Sequence, residues 1–233
     1  MAIIRIKHCN FEKIQDAINS SESRLDEWEG TDSDRLLAPG WENRYQYESE
    51  LICQIIKENN VRTILELGCG PGRLSNIIQT SISYSLTYHL IDKPYAKQYF
   101  DEHKYKGMFF VQDISTQLDI SKLLPKYDLI ICNDTLEHLY APANIIRQCY
   151  HLMNDTSTFF ISIPNWRMAH QFIYRGLWDY DNFLYFMYIH KFNPINVFPS
   201  PLQTPYYPKL DSEETLPDEL IQSWNFYFQL KKI

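Results

Sequence analysis

Residues 62–74 read RTILELGCGPGRL, and the fold follows from them. Arg62 to Leu67 make a short apolar run, the pattern of a strand covered on both faces. The run stops at Gly68-Cys69-Gly70-Pro71-Gly72. The chain has only 7 glycines, and three of them sit in this turn. The backbone there must bend tightly or be approached without a Cβ in the way. Arg73 to Gln79 then opens a helix. Strand, glycine turn and helix in that order begin a βαβ unit.

The same alternation continues outward. LTYHLID (86–92) reads as a second strand and PYAKQYFDEH (94–103) as a helix with Pro94 in its first turn. MFFVQD (108–113), YDLIICND (127–134) and STFFISIP (157–164) read as further strands, with a helix over APANIIRQCYHLM (141–153). This predicts an α/β fold with a doubly wound, mostly parallel sheet of Rossmann type. Upstream, residues 43–59 read as an amphipathic helix burying Tyr47, Leu51, Ile55 and Ile56, and Phe11, Ile14 and Ile18 lie at helical spacing. Past Pro164 the pattern turns irregular. Half of the 12 prolines lie between residues 194 and 217, which excludes regular structure through FPSPLQTPYYPKLDSEETLPDE. WNFYFQLKK (224–232) reads as a last strand. One domain over 1–233 is expected, with a helical cap at 1–60, a core at 61–165 and a substrate-side segment at 166–233.

Composition narrows the function. Hydrophobic residues make up 45% and charged residues 22% of the 233, so the chain is globular rather than disordered. No apolar run is long enough to span a membrane. The five cysteines, at 9, 53, 69, 132 and 149, form no CxxC pair and no zinc pattern. Scattered thiols in odd number point to a reducing, cytoplasmic setting. A formal charge of −7 disfavours nucleic acid as the partner, since such binders carry a basic stripe. A small-molecule acceptor is expected, with no membrane and no metal.

In a doubly wound sheet, ligands bind beyond the carboxyl ends of the strands. Those ends carry Glu66 and the glycine turn, Asp92, Asp113, and Asn133-Asp134. Asp92 follows the turn at the spacing at which an acid accepts hydrogen bonds from ribose hydroxyls. Arg73 stands where a dinucleotide fingerprint has its third glycine.

With these residues the chain resembles the class I S-adenosylmethionine-dependent methyltransferases. ILELGCGPGRL looks like their first motif, HLID their second, FVQDIS their third and YDLIICNDTLEHL their fourth; the likeness covers about residues 43–165. It implies S-adenosyl-L-methionine as cofactor. Glu66, Gly68 and Cys69 would lie near its methionine part, Gly70 and Gly72 under the ribose side, and Asp92 with Lys93 at the ribose. Asp113 and Ile114 would frame the adenine, and Asn133 would border the sulfonium through its backbone. Arg44 or Tyr45 would meet the cofactor carboxylate. SIPN (162–165) followed by GLWDYDN (176–182) resembles a narrower branch that accompanies sugar and surface-polysaccharide pathways. In that branch an aromatic, histidine-bearing segment follows; His190 and Phe192 are similar to it, without the usual Asp-Arg.

The implied cofactor carries a sulfonium and one adenosine but no pyrophosphate, so acids and a bent backbone suit it better than a phosphate-binding helix start. A nicotinamide enzyme is one alternative, because Asp92 also suits NAD; a non-catalytic S-adenosylmethionine-binding or interaction module and a protein or nucleic-acid methyltransferase are the others. Several residues have plainer readings. Glu66 can cap a turn, Asp113 can be an N-cap, and Cys69 can be a small packing residue. Asp134, Glu137 and His138 stand at i, i+3 and i+4 and would share one face of a helix. There His138 acts as general base, or the trio holds a divalent ion, or His138 bonds within the helix start. His190 is a second candidate base. Trp166, Tyr174, Trp178 and Tyr180 either line an acceptor pocket or pack the C-terminal segment on the sheet.

Overall fold

The computed structural model describes residues 40–164, 180–199 and 225–233. Its elements, in chain order, are α1 (Gly40–Glu58), β1 (Thr63–Leu67), α2 (Arg73–Ser81), β2 (Thr87–Asp92), α3 (Pro94–Glu102), β3 (Met108–Val111), β4 (Tyr127–Asn133), a 3-10 turn (Leu136–His138), α4 (Pro142–His151), β5 (Met153–Pro164), α5 (Tyr180–Ile189), β6 (Phe192–Pro199) and β7 (Asn225–Lys232). The strands form one seven-stranded sheet in the order β3-β2-β1-β4-β5-β7-β6. The first five are parallel, and β7 runs antiparallel to both β5 and β6. The doubly wound, mostly parallel sheet read from the sequence is the observed fold.

Side-chain alternation along the strands builds two cores. Leu65 and Leu67 face a layer that includes Ile145, Ile146 and Cys149 of α4 and Phe183 and Met187 of α5. Ile64 faces the opposite layer, with Ile52, Ile55 and Ile56 of α1, Ile78 of α2 and Phe100 of α3. The buried stripe of α1 is thus turned slightly from the expected one: Ile52 is sealed, while Tyr47 and Leu51 are half-buried. From β1 the chain winds outward through β2 and β3 on one side and through β4 and β5 on the other. The crevice between the carboxyl ends of β1 and β4 is therefore the topological switch point.

Two elements lie in the stretch expected to be irregular. The α5 sequence YDNFLYFMYI is apolar almost all round, so it shows no polar face by which a helix is recognised. Pro194 and Pro199 argue against a strand, but β6 is an edge strand, where a missing N–H is tolerated. The N-terminal segment before Gly40, Trp166, Tyr174, Trp178 and residues 200–224 lie outside the described residues.

Candidate functional site

The glycine turn caps β1 at the crevice. Gly68, Gly70 and Gly72 all have positive φ, at 67°, 52° and 82°. At Gly68 this conformation is enforced by packing as well: a Cβ there would overlap the Thr135 side chain. Thr135 in turn donates to the carbonyls of Asn133 (2.8 Å) and Leu67 (3.3 Å), which locks the ends of β1 and β4 together. Cys69 is buried and its thiol is pushed well up by burial, which disfavours the thiolate a nucleophile needs.

Asp92 ends β2 beside this turn. Its Oδ2 accepts from the Gly70 N–H at 2.6 Å and its Oδ1 from the Lys93 N–H at 2.7 Å. Two backbone donors fix the carboxylate, and about two of its four lone-pair sites remain for a ligand. Burial raises its pKa, and the two backbone donors offset part of that. Lys93 contributes its backbone here and starts α3. Glu66 points into the α1–α3 side of the sheet, 4% exposed, and accepts from the Tyr88 hydroxyl at 2.8 Å. Burial pushes its carboxyl up to about 8; Tyr88 opposes this, while the nearby Glu48 and Asp92 carboxylates add to it.

At the end of β3, Asp113 is exposed and accepts from the backbone and the hydroxyl of Ser115. Burial works against the charged form, but the Ser115 donors hold its carboxyl below the usual range. Its side chain thus bonds within the local turn; no helix starts there, so Asp113 is not the helix N-cap of its plainer reading. Ile114 packs into the core with Leu118 and Leu136.

Beyond β4 the expected helix face does not form. Asp134 takes a left-handed conformation, with φ 43°, and only the single 3-10 turn Leu136–His138 follows. Glu137 is then fully buried, whereas the His138 side chain is 25% exposed, with Nε2 3.8 Å from Glu137 Oε1. Asp134 faces elsewhere. It pairs with Arg44 at 2.6 Å and accepts from Asn225 (2.6 Å) and Ser162 (2.7 Å). Asp134 therefore does not join Glu137 and His138, and no group of three or more potential metal-ligating side chains occurs among the described residues.

His190 is not at the crevice. Asn133 is level with Ser162, Tyr227 and Phe198 across the sheet. Phe192 lies six strand residues lower on β6, about 20 Å at 3.3 Å per residue, and His190 precedes it. Its ring packs edge-on against Phe186 at the far end of the sheet, where burial and Arg147 lower its pKa.

Sequence reasoning missed a polar cluster above β4. Glu48 of α1 is buried and accepts from Arg44 Nε (2.6 Å), the Tyr227 hydroxyl (2.9 Å) and Asn133 Nδ2 (3.3 Å). Arg44, proposed for the cofactor carboxylate, is bound to Glu48 and Asp134. Burial works against its charge, and the two carboxylates more than restore it. Tyr45 lies under the Arg73 guanidinium, which also pairs with Glu42. One signal was available: Glu48 continues the stripe of Ile52, Ile55 and Ile56, a charge on a buried face.

The crest therefore offers fixed acids, a glycine cradle and a buried acceptor, Asn133 Oδ1, without a partner among the described residues. Those acceptors suit a molecule with ribose hydroxyls and a cationic group.

The chain belongs to the methyltransferase domain family, whose model matches residues 41–193. It is 30% identical over 110 residues to the ubiquinone biosynthesis O-methyltransferase of Glaesserella parasuis serovar 5, covering 45% of this chain and 46% of that one. It is 24% identical over 104 residues to the enzyme of the same name from Pseudomonas paraeruginosa, covering 45% of each. The chain thus spans about half the length of the curated relatives it matches. Among solved structures it resembles the plantazolicin methyltransferase BpumL in complex with SAH, with a TM-score of 0.64 and 16% identity over 95% of this chain and 98% of that one. It also resembles the magnesium protoporphyrin IX methyltransferase of Synechocystis PCC 6803 with bound SAM, with a TM-score of 0.61 and 16% identity over 91% and 97%. At that identity the structural likeness is one of fold.

Proposed function

We propose that this methyltransferase domain binds S-adenosylmethionine at the crest of β1, β2 and β4 and transfers its methyl group to a small-molecule hydroxyl. The observation that carries this reading is Asp92, a carboxylate held by two backbone N–H groups at the end of β2 with lone pairs left for two ribose hydroxyls. Glu66 and Asn133 stand towards the methionine part and the glycine turn passes under the ribose. Bound there, the cofactor supplies a methyl already activated by a sulfonium. The protein's share is to place the acceptor in line and keep water out, and alignment of that kind is worth about 7–11 kcal/mol of barrier.

A hydroxyl acceptor must lose its proton as the methyl arrives. His138, part-exposed beyond β4 on the crest side, is the base of this proposal. His190 has no place in it. The relatives' names, O-methyltransferases of ubiquinone biosynthesis, support an oxygen acceptor. The resemblance of 162–165 and 176–182 to enzymes of sugar pathways supports a sugar hydroxyl or a related metabolite. Purified protein mixed with the cofactor and panels of sugar and phenolic acceptors tests the proposal. A product heavier by one methyl group supports it. Cofactor binding with no turnover on either panel removes the small-molecule hydroxyl from the proposal.

A further inference from the structure

Glu48 is 1% exposed. A carboxylate so deeply buried needs donors, and it receives three from three elements: Arg44 on α1, Tyr227 on β7 and Asn133 on β4. Arg44 and Tyr227 both reach Oε1, which leaves Oε2 to the Asn133 amide nitrogen. Asn133 presents its amide nitrogen to that oxygen at 3.3 Å. The carboxamide is planar, and its orientation is thereby fixed. Its oxygen faces away from Glu48 and is buried with no hydrogen-bond partner among the described residues. Asn133 ends β4, beside the Thr135 side chain that packs on Gly68. The unused acceptor thus sits at the switch point, where the sheet receives its ligand.

We propose that Glu48 is a positioning residue for cofactor binding: braced by Arg44 and Tyr227, it holds the Asn133 carboxamide nitrogen-inward, so that Oδ1 accepts from the amino group of the cofactor's methionine part. The inference rests on the reading of this crest as an S-adenosylmethionine site. Arg44 itself is tied down by Asp134, and Tyr227 is fully buried against Tyr47 and Phe160. The brace is therefore stiff. A glutamine at position 48 keeps an oxygen for Arg44 and Tyr227 but turns its amide nitrogen to Asn133. That reverses the Asn133 carboxamide and aims a donor at a donor.

Two ligands separate positioning from mere structure. S-adenosylhomocysteine carries the amino group; 5′-methylthioadenosine has the adenosine and sulfur but lacks it. In calorimetric titrations, Glu48→Gln and Asn133→Ala are each expected to weaken S-adenosylhomocysteine about tenfold, the scale of one hydrogen bond to a charged group, and to leave methylthioadenosine unchanged. Tyr227→Phe, which removes only a hydroxyl, weakens the first ligand about threefold and spares the second. In the Asn133→Ala background, Glu48→Gln and Tyr227→Phe have no further effect, because the group they orient is gone. Equal weakening of both ligands, undiminished binding of the first, or full additivity with Asn133→Ala overturns the inference while the cofactor site stands. Wild-type protein that binds neither ligand overturns the site reading itself, and the inference with it. Should Glu48→Gln not fold, the Tyr227→Phe and Asn133→Ala cycle decides alone.

Discussion

Arg44 Nη2 lies 2.6 Å from Asp134 Oδ2, so α1 is pinned to the turn beyond β4 by an ion pair about one-fifth exposed at each end. The same arginine holds Glu48, and Asp134 also receives Ser162 and Asn225. A charge removed from such a network leaves partners without compensation. Asp134→Ala is expected to cost about 1.5–3 kcal/mol in urea unfolding, the range for hydrogen bonds to charged groups. A double-mutant cycle with Arg44→Ala should show coupling of about 1 kcal/mol or more. Additive losses would mean that the pair does not hold α1.

Gly68 is under two constraints at once, a φ of 67° and the Thr135 side chain against the position of a Cβ. Gly68→Ala is expected to lose about 2–5 kcal/mol, from left-handed strain of about 1–2 and overpacking of about 1–3. Its melting temperature should drop accordingly. Thr135→Ala, made in that background, should recover part of the drop. No recovery would place the cost in the backbone alone.

Glu66 sets a pH dependence. Its folded pKa, raised by burial to about 8 from an ordinary 4.5, means that the folded state holds a proton which the unfolded state has released. Stability should therefore be fully present below about pH 4.5 and fall as pH rises to about 8, by at most about 1.4 kcal/mol per pH unit for this group. Glu66→Gln should flatten the thermal stability profile over that window and be more stable than the wild type near pH 8. Identical profiles for the two proteins would contradict this assignment.

The proposed base is separable from binding. His138→Ala should lower kcat on a hydroxyl acceptor about 100-fold or more and leave the affinity for S-adenosylhomocysteine as it was. His190→Ala, at the far end of the sheet, should change neither. Full activity in His138→Ala would send the search for the base to other residues.

Much of this was legible before the structure. RTILEL, LTYHLID and YDLIICN are near-continuous apolar runs, and parallel strands covered on both faces read that way. Glu66, Asp92 and Asn133 could be placed because strand ends are fixed by the runs themselves. The turn after β4 was not legible. Asp134, Glu137 and His138 sit at helical spacing, but the left-handed Asp134 and a single 3-10 turn send Glu137 inward and Asp134 to Arg44. The Glu48 brace was hidden for a different reason: its partners, Asn133 and Tyr227, are joined to it only by the folding of β4 and β7 over α1.

Direct titration tests whether Asp92 and the glycine turn grip an adenosyl sulfonium at the sheet crest. Calorimetry of the purified protein with S-adenosylmethionine should give one site of micromolar affinity, weakened at least tenfold in Asp92→Ala. Heat from NADH in place of the methyl donor, or equal affinity in the Asp92→Ala protein, would contradict it.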